Sequence, residues 1–349
     1  MKSLLPFFLF FSFAFTLSPE EGFVIITSGK LNLRDKPEKG KVIGKLKKGE
    51  KVEILPEETG HYEWAKVRAG KKIGFVSKEF ISSHQPKDLD RAMLIGDVFP
   101  GEKPEVGRFR VIAYRSGSQW KGADLFDPDV KYILKSSVTG KSQFAVTDNS
   151  GKFKLNAKID NVSTAGCQSY TVGEARIGKI LSEESEESTF FLSDKLAIQP
   201  VELSGEIHED IKSALEKKAR NNFLARNPDL KDENVKMDSA FVLEDGRKSE
   251  TAILRFSEKK EYEEKQYIIF VVKINQSKIE KILFEESNAL SVDQAPYGGK
   301  FHFKGSFHLK GEGTYIIFHH NGFDGFINEI FLLKENTFKP VTTGGGDAC

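Results

Sequence analysis

Residues 31–55, LNLRDKPEKGKVIGKLKKGEKVEIL, and residues 64–81, WAKVRAGKKIGFVSKEFI, decide the fold of the N-terminal part of the chain. Short apolar and β-branched runs alternate there with turn sequences such as Asp35-Lys36-Pro37 and Lys47-Lys48-Gly49-Glu50. Short strands broken by Gly, Pro and charged turn residues at this spacing are typical of small barrels. Residues 22–82 are therefore predicted to form a small β-barrel.

The order of these runs resembles the bacterial SH3 (SH3b) family along the whole of residues 22–81. The shared features are the start Leu31-Asn32-Leu33-Arg34 with Pro37, the turn from Gly44 through Leu46 to Gly49, and the finish Gly74-Phe75-Val76. Leu33 and Phe75 stand where the family more often has Val and Trp, and both replacements keep an apolar side chain. The resemblance implies an SH3-like barrel that binds cell-wall peptides or protein partners.

In that family, binding often uses exposed aromatic and loop residues. The resemblance therefore points to the following candidate ligand-binding residues: Arg34, Asp35, Tyr62, Trp64 and Phe75. Trp64 has an alternative role in the barrel core, because its place in the strand pattern is often structural.

Residues 1–18 have the pattern of a signal peptide. Lys2 precedes an apolar run from Leu4 to Leu17, and Pro19-Glu20-Glu21 ends it. A helix of about 14 residues spans only ~21 Å, which is too short for a hydrocarbon core of ~30 Å. The protein is expected to be exported, either periplasmic or secreted, with no integral membrane span after signal removal.

The rest of the chain is predicted to be rich in β-structure, so that the fold class is mainly β, or α+β overall. Residues 83–107, with Pro86, Pro100 and Pro104, are predicted to be a linker, and residues 344–349 a flexible tail. Residues 108–205 are predicted to form a β-rich domain with a strand at 132–134. Residues 206–343 are predicted to form an α+β domain, which is either separate or one unit with residues 108–205. One amphipathic helix is expected at 206–223, where apolar residues recur at three- and four-residue intervals.

Seven strands are predicted after this helix, at 240–243, 251–256, 267–274, 278–285, 300–310, 313–319 and 328–333. In the fifth of them, Phe301, Phe303, Phe307 and Leu309 alternate with polar residues that include His302, Lys304 and His308. Alternation with a period of two predicts one buried face and one face in contact with water.

Composition and motifs argue against several classes of function. Lys and Arg number 52 and Asp and Glu 51, so the basic excess of a nucleic-acid binder is missing. A cysteine nucleophile needs a neighbouring base, and a histidine shortly before Cys167 would supply one. No histidine lies between His84 and His208, so this base is missing. The histidines at 302, 308, 319 and 320 form no zinc motif. Neither a cofactor nor a metal is predicted, and Cys167 and Cys349 are either paired in a disulfide or unpaired.

The sequence therefore predicts an exported binding protein without catalytic activity, whose partner is peptidoglycan or an envelope protein. Two alternatives stay open. An envelope enzyme that modifies peptidoglycan would show a concave cluster of titratable groups within residues 108–349. A structural or assembly subunit would show a large exposed apolar patch.

Overall fold

A computed structural model of the chain describes residues 20–56, 62–124, 127–138, 143–147, 154–165, 170–178, 190–193, 198–200, 202–204, 207–228, 234–244, 250–260, 263–289, 301–321 and 325–348. The predicted signal peptide, Cys167 and Cys349 lie outside these residues. The chain divides into two compact units, Met1–Gln85 and Pro86–Cys349. Within the described residues, no helix is long and apolar enough to cross a membrane.

The first unit is a barrel of short antiparallel strands. Its strands are β1 (Glu20–Val24), β2 (Leu31–Arg34), β3 (Val42–Leu46), β4 (Lys51–Ile54), β5 (Trp64–Ala69), β6 (Lys72–Ser77) and β7 (Ile81–Ser82). They are hydrogen-bonded in the order β3-β2-β6-β5-β4-β1-β7. The core takes alternate residues of these strands, including Leu33, Val52, Val67 and Val76. The predicted barrel is therefore confirmed.

The second unit begins with a short helix, which is followed by the strands of one antiparallel sheet and by a second helix among them. These elements are α1 (Pro86–Leu89), β8 (Met93–Pro100), β9 (Val106–Ser116), β10 (Gln119–Gly122), α2 (Pro128–Ser137), β11 (Phe144–Thr147), β12 (Lys154–Ala157), β13 (Asn161–Ala165), β14 (Tyr170–Arg176) and β15 (Phe190–Ser193). The strands form sheet I, in the order β12-β11-β15-β8-β9-β14-β13, with β10 paired to β9. Helix α2 contacts β13 and β14.

Two further sheets follow. Their elements are β16 (Ile198–Pro200), β17 (Glu202–Ser204), α3 (Glu209–Arg226), β18 (Val235–Glu244), β19 (Glu250–Lys260), β20 (Glu263–Asn275), β21 (Lys278–Ala289), β22 (Phe301–Leu309), β23 (Gly313–Asn321), β24 (Gly325–Lys334) and β25 (Thr337–Ala348). Sheet II runs β16-β22-β23-β24-β25, and sheet III runs β17-β18-β19-β20-β21.

Sheet II is the middle layer of the second unit. One of its faces packs against sheet I, where Phe307 and Ile317 meet Ile95 and Leu192. Its other face packs against sheet III through residues such as Phe318, which lies in the same cluster as Ile269. Helix α3 covers the far side of sheet III with Ile211, Leu215, Ala219 and Phe223. The order of layers is therefore α3, sheet III, sheet II and sheet I.

The predicted helix and strands of the C-terminal part are largely confirmed. The helix expected at 206–223 is α3, and the seven strands predicted after it coincide with β18–β24. The prediction that one face of residues 300–310 contacts water is wrong, because sheet I covers one face of sheet II and sheet III covers the other. Lys304, expected in water, is only 1 % exposed.

Other sequence-based assignments differ from the structure in ways that backbone chemistry explains. Residues 93–100 of the predicted linker form β8, a strand in the interior of sheet I. The strand predicted at 132–134 belongs to α2, which Asp127 caps and Pro128 opens. Gly344 and Gly345, assigned to a flexible tail, are buried in β25, where the missing side chains allow close contact with the backbone of Ile112 and Ala123.

Candidate functional site

The outer face of strands β2, β6 and β5 carries most of the predicted binding residues. Along β5, Ala65 and Val67 are buried in the barrel core, whereas Trp64 and Lys66, which alternate with them, are half-buried. Since successive side chains of a strand point to opposite faces, Trp64 points away from the core. The alternative role of Trp64 in core packing is therefore wrong.

Strand pairing brings three of the predicted residues together on this face. Arg34 at the end of β2 is the direct partner of Phe75 in β6. On its other side, Phe75 pairs with Lys66, and the next outward pair along β5 and β6 is Trp64 with Ser77. Side chains on directly opposite residues lie within contact distance of each other. We call Arg34, Trp64, Lys66 and Phe75 the aromatic–basic face.

The loop after β2 fixes the position of Arg34. Its Nη1 donates a hydrogen bond to the carbonyl oxygen of Gly40 at 2.7 Å. Asp35 Oδ1 accepts a hydrogen bond from the backbone N–H of Lys41, also at 2.7 Å. A Cβ atom at Gly40 would lie 2.3 Å from the carbonyl oxygen of Lys36, so this turn requires glycine. Asp35 is exposed, and its hydrogen bond stabilises this turn. The turn then positions Arg34 through the carbonyl oxygen of Gly40.

Tyr62 differs from the other candidates because it is almost completely in solvent. It is 89 % exposed, in the turn that precedes β5. Tyr62 precedes Trp64 by two residues in the sequence. The preceding residues 57–61 lie outside the described residues.

The second unit contains a buried ionic cluster that none of the sequence-based predictions includes. Asp97 in β8 is completely buried, and its Oδ2 accepts hydrogen bonds from Arg110 Nε at 3.1 Å and from Arg110 Nη2 at 2.5 Å. Lys304 Nζ of β22 lies 2.9 Å from Asp97 Oδ1. Asn328 Nδ2 of β24 donates to Asp97 Oδ2 at 3.3 Å. Side chains of two sheets thus meet on one carboxylate.

This cluster extends to a histidine and to aromatic rings. His319 Nδ1 lies 2.9 Å from Asn328 Oδ1, which accepts its hydrogen. The Arg110 guanidinium lies 4.1 Å from the centre of the Phe326 ring, and the His319 ring centre is 4.9 Å from the same ring. Cations over aromatic faces are stabilised by the ring quadrupole, more strongly when water is excluded.

Charge neutralisation keeps Asp97 ionised despite its burial. Burial alone would raise the pKa of this carboxyl, but Lys304, Arg110 and His319 outweigh that effect and lower the pKa to about 2. A buried carboxylate with two cationic partners is costly to separate from them. The cluster therefore joins sheet I to sheet II, and its members are enclosed between the two layers rather than arranged around a cleft.

A second buried acidic group lies at the start of α2. Asp127 Oδ1 accepts a hydrogen bond from the backbone N–H of Asp129 at 2.8 Å, as a helix cap does. Tyr114 donates its hydroxyl hydrogen to Asp129 Oδ2 at 2.7 Å, and Lys121 Nζ is 3.4 Å from Asp127 Oδ2. Burial is the largest cause that raises the pKa of Asp127; Asp129 adds to it, and Lys121 opposes it.

A cavity of about 20 Å³ separates these two clusters, with Arg110, Asp127, Thr171 and Gly345 in its wall. That volume is room for about one water molecule.

The structure also bears on metal binding and on the two cysteines. Across the part of the chain that the structure describes, no group of three His, Cys, Asp or Glu residues is placed to hold a metal ion. His302 and His319 are partners across β22 and β23. Cys167 and Cys349 fall outside the described residues, so the two alternatives stated for them, a disulfide or two unpaired cysteines, are not tested.

The sequence contains a weak signal for the buried cluster. Asp97 and Arg110 each interrupt an apolar run, in LIGDVF at 94–99 and FRVIAY at 109–114. A charged residue inside such a run indicates either an edge of the sheet or a buried pair. Only the pairing of β8 with β9, which sets Asp97 opposite Arg110, distinguishes the two.

Comparison with known proteins gives one match. The family model described as bacterial SH3 domain matches residues 29–82. Neither the curated proteins nor the solved structures include a significant match to this chain. The matched segment covers β2–β7, which are the strands of the barrel other than β1 and which carry the aromatic–basic face. Residues 29–82 of this chain are a bacterial SH3 domain.

Proposed function

We propose that the protein acts outside the cytoplasm as a binding protein without catalytic activity. Its bacterial SH3 domain would hold peptide of the cell wall or of an envelope protein against the aromatic–basic face. The observation that carries the proposal is the pairing of Arg34 with Phe75 on the outside of the barrel. Bacterial SH3 domains commonly serve as cell-wall-binding modules, which supports the proposed class of ligand.

The chemistry of the face suits a peptide ligand. Trp64 and Phe75 are only half-buried, so a peptide that covers them removes further apolar area from water. Arg34 offers guanidinium donors for a carboxylate, and Lys66 adds a second positive charge beside Phe75. Aromatic and Arg anchors of this kind supply much of the binding energy in protein interfaces.

The case against an enzyme rests on where the titratable groups lie. The strongest cluster, around Asp97, is enclosed between sheets I and II and positions those sheets. This arrangement favours a structural role for the cluster, and it supports binding over catalysis as the proposed activity. Export of the protein is part of the proposal and rests on the sequence of residues 1–18 and on the family of the domain.

Co-sedimentation with purified peptidoglycan sacculi tests the proposal. The protein that begins at residue 20 should pellet with the sacculi, and the variant Arg34→Ala/Phe75→Ala should stay in the supernatant. Lys51→Ala is the charge control, because Lys51 lies on β4 and pairs with Glu21 away from the face. Val138→Ala is the control for an exposed apolar side chain in the second unit.

A parallel pulldown from an envelope extract distinguishes the two sources of peptide. Retention of a defined envelope protein by the wild type but not by Arg34→Ala/Phe75→Ala, without binding to sacculi, assigns the ligand to a protein. If the variant and the wild type behave alike in both assays, the proposed role of the aromatic–basic face is wrong.

A further inference from the structure

One edge of sheet III is a single long strand. Strand β21 has 12 residues and is the last in the order β17-β18-β19-β20-β21, and among the described residues it pairs with β20 alone. The side chains of residues 278–287 are all exposed or half-buried. The outer side of an edge strand presents backbone N–H and C=O groups that another strand can pair with. This edge is therefore a candidate surface for the addition of a strand.

Two charged residues of β21 lie on the same face of sheet III. Glu286 is opposite Ile269 of β20, which packs against sheet II. Lys281 is directed to the same side, because its Nζ donates a hydrogen bond to the carbonyl oxygen of Asn336, in the turn between β24 and β25 of sheet II. The face toward sheet II thus carries a cation in the first half of the strand and an acid in the second half.

Glu286 has an acidic neighbour and lacks a cationic one. It is half-buried, and both burial and the negative charge of Glu329 in β24 raise the pKa of its carboxyl. The nearby Lys218 of α3 pairs with Glu285 instead, at 2.8 Å. Within the part of the chain that the structure describes, no Lys, Arg or His forms an ion pair with Glu286. A cation brought to the edge from outside would therefore stabilise the ionised form of this acid.

The two halves of β21 differ in charge. Lys278 and Lys281 belong to the first half and Glu285 and Glu286 to the second, and Glu280 is the one acid near the lysines. In an antiparallel pair of identical strands, the first half of each strand lies beside the second half of the other. Charged side chains usually protect an edge strand against pairing, but in this arrangement opposite signs meet. The strand is therefore electrostatically complementary to a second copy of itself.

Pairing over the full length of the strand defines one register. Its centre lies between the half-buried Leu283 and Phe284, so each Leu283 is opposite Phe284 of the other copy. Lys281 is then opposite Glu286 of the other copy at two symmetric positions, and no two like charges are opposite each other. Opposite charges on directly opposed residues stabilise a strand pair, and like charges destabilise it.

We infer that the outer edge of β21 binds a second copy of this chain, so that two copies of sheet III join into one antiparallel sheet with Lys281 of each copy paired to Glu286 of the other. The contact is two-fold symmetric and uses the same edge of both copies, so the assembly closes at two. Small interfaces bind weakly, and a single strand pair is small, so we expect a dissociation constant in the micromolar range. This surface is in the second unit and is separate from the one proposed for the SH3 domain.

Sedimentation equilibrium of the protein that begins at residue 20 tests the inference between about 1 µM and about 500 µM, the range of weak association. The wild type should form a dimer. Lys281→Glu and Glu286→Lys each set like charges opposite each other at both symmetric positions, so each should weaken association at least about tenfold. Lys217→Glu makes the same change of charge on the exposed side of α3 and should leave association unchanged.

A mixture of the two single variants gives the sharpest result. Lys281→Glu has an acid at both positions and Glu286→Lys has a lysine at both, so a mixed dimer has opposite charges at both contacts. The mixture should form dimers with about the wild-type affinity, although neither variant does so alone. The double variant Lys281→Glu/Glu286→Lys reverses both charges and should also recover dimerisation. Recovery in these two experiments shows that the single variants are folded.

Amide hydrogen exchange locates the contact. The amides of β21 that do not donate to β20 should exchange more slowly at concentrations where the dimer forms, and those of the exposed side of α3 should not change. The inference is overturned if the wild type is monomeric throughout, if the single variants dimerise as the wild type does, if their mixture stays monomeric, or if dimerisation leaves exchange in β21 unchanged. None of these measurements uses a ligand of the SH3 domain, so their failure and failure of the proposed function are separate results.

Discussion

Arg34 and Phe75 lie directly opposite each other across strands β2 and β6, on the outside of the SH3 barrel. The two strands are far apart in sequence, and their pairing places a cation and an aromatic ring next to each other. Trp64 and Lys66 of the adjacent strand extend this pair into a continuous face. The geometry converts residues from three separate segments into one surface for a ligand.

The first prediction separates the outside of the barrel from its core. Leu33 is completely buried, whereas Phe75 is half-buried on the outer face. Leu33→Ala should lower the local free energy of unfolding by about 2–5 kcal/mol, as core truncations to alanine do. Phe75→Ala should cost less than half as much, as measured by amide hydrogen exchange in β5 and β6. A larger loss for Phe75→Ala would place its ring in the core.

The second prediction concerns the carboxylate that joins sheets I and II. Asp97→Asn would leave Arg110 and Lys304 buried without their anionic partner. Removing one partner of a buried ion pair typically costs about 3–5 kcal/mol. We expect a loss of this size in urea unfolding at pH 7, and almost none for Asp88→Asn, whose side chain is exposed on α1. Equal effects of the two substitutions would contradict the assigned role of Asp97.

The same substitution has a defined pH dependence. The pKa of Asp97 is lowered from 3.8 to about 2, so the carboxylate stabilises the fold at pH values above its unfolded pKa. This stabilisation, about 2 kcal/mol, is lost as the pH falls from about 4 to about 2. The difference in unfolding free energy between the wild type and Asp97→Asn should therefore shrink over that range. A difference that stays constant with pH would show that the charge is not responsible.

The third prediction uses the raised pKa of Asp127. Because folding raises the pKa of this acid, its ionised form opposes folding at neutral pH. Asp127→Asn removes the charge and keeps a side chain that caps α2, so it should stabilise the second unit at pH 7. Asp127→Ala loses the cap, at a cost of about 1 kcal/mol. The melting temperature should be highest for Asp127→Asn, lower for the wild type and lowest for Asp127→Ala. The higher stability of Asp127→Asn relative to the wild type should disappear as the pH falls.

The fourth prediction concerns the C-terminal strand. A Cβ atom at Gly344 would lie 2.4 Å from the carbonyl oxygen of Ile112 and 2.5 Å from the backbone nitrogen of Ala123. Gly344→Ala should therefore lower the unfolding free energy by about 1–3 kcal/mol, the usual cost of overpacking. Thr343→Ala, at the exposed neighbouring position, is the matched control. Equal stability of the two variants would mean that β25 does not pack closely on sheet I.

Elements with a strong local pattern could be predicted from the sequence. Apolar residues at helical spacing predict α3, and Ile211, Leu215, Ala219 and Phe223 form its buried face as expected. The barrel followed from turn residues and short strands, which are local signals too. Part of the aromatic–basic face could also be predicted, because the family motif contains Arg34 and Phe75.

Features that depend on tertiary layering could not be predicted. The period-two pattern of β22 assigns Lys304 to water, but sheet I covers that face and Asp97 of β8 neutralises the charge. The prolines near β8 suggest a linker, yet Pro100 is the last residue of that strand and does not interrupt its ladder. The apolar run from Tyr132 to Leu134 predicts a strand, but these residues belong to α2, and the local signal for that helix is its cap at Asp127.

An NMR map of the SH3 domain's ligand contacts in the full protein tests the proposed binding role of the aromatic–basic face. Soluble peptidoglycan fragments would be titrated into the isotope-labelled chain, and backbone and indole shifts would be followed. We expect shifts concentrated at Arg34, Trp64, Lys66 and Phe75, with the outer ends of β1 and β4 unchanged. Shifts confined to other surfaces, or none at all with either peptidoglycan or the partner protein captured from the envelope extract, would contradict it.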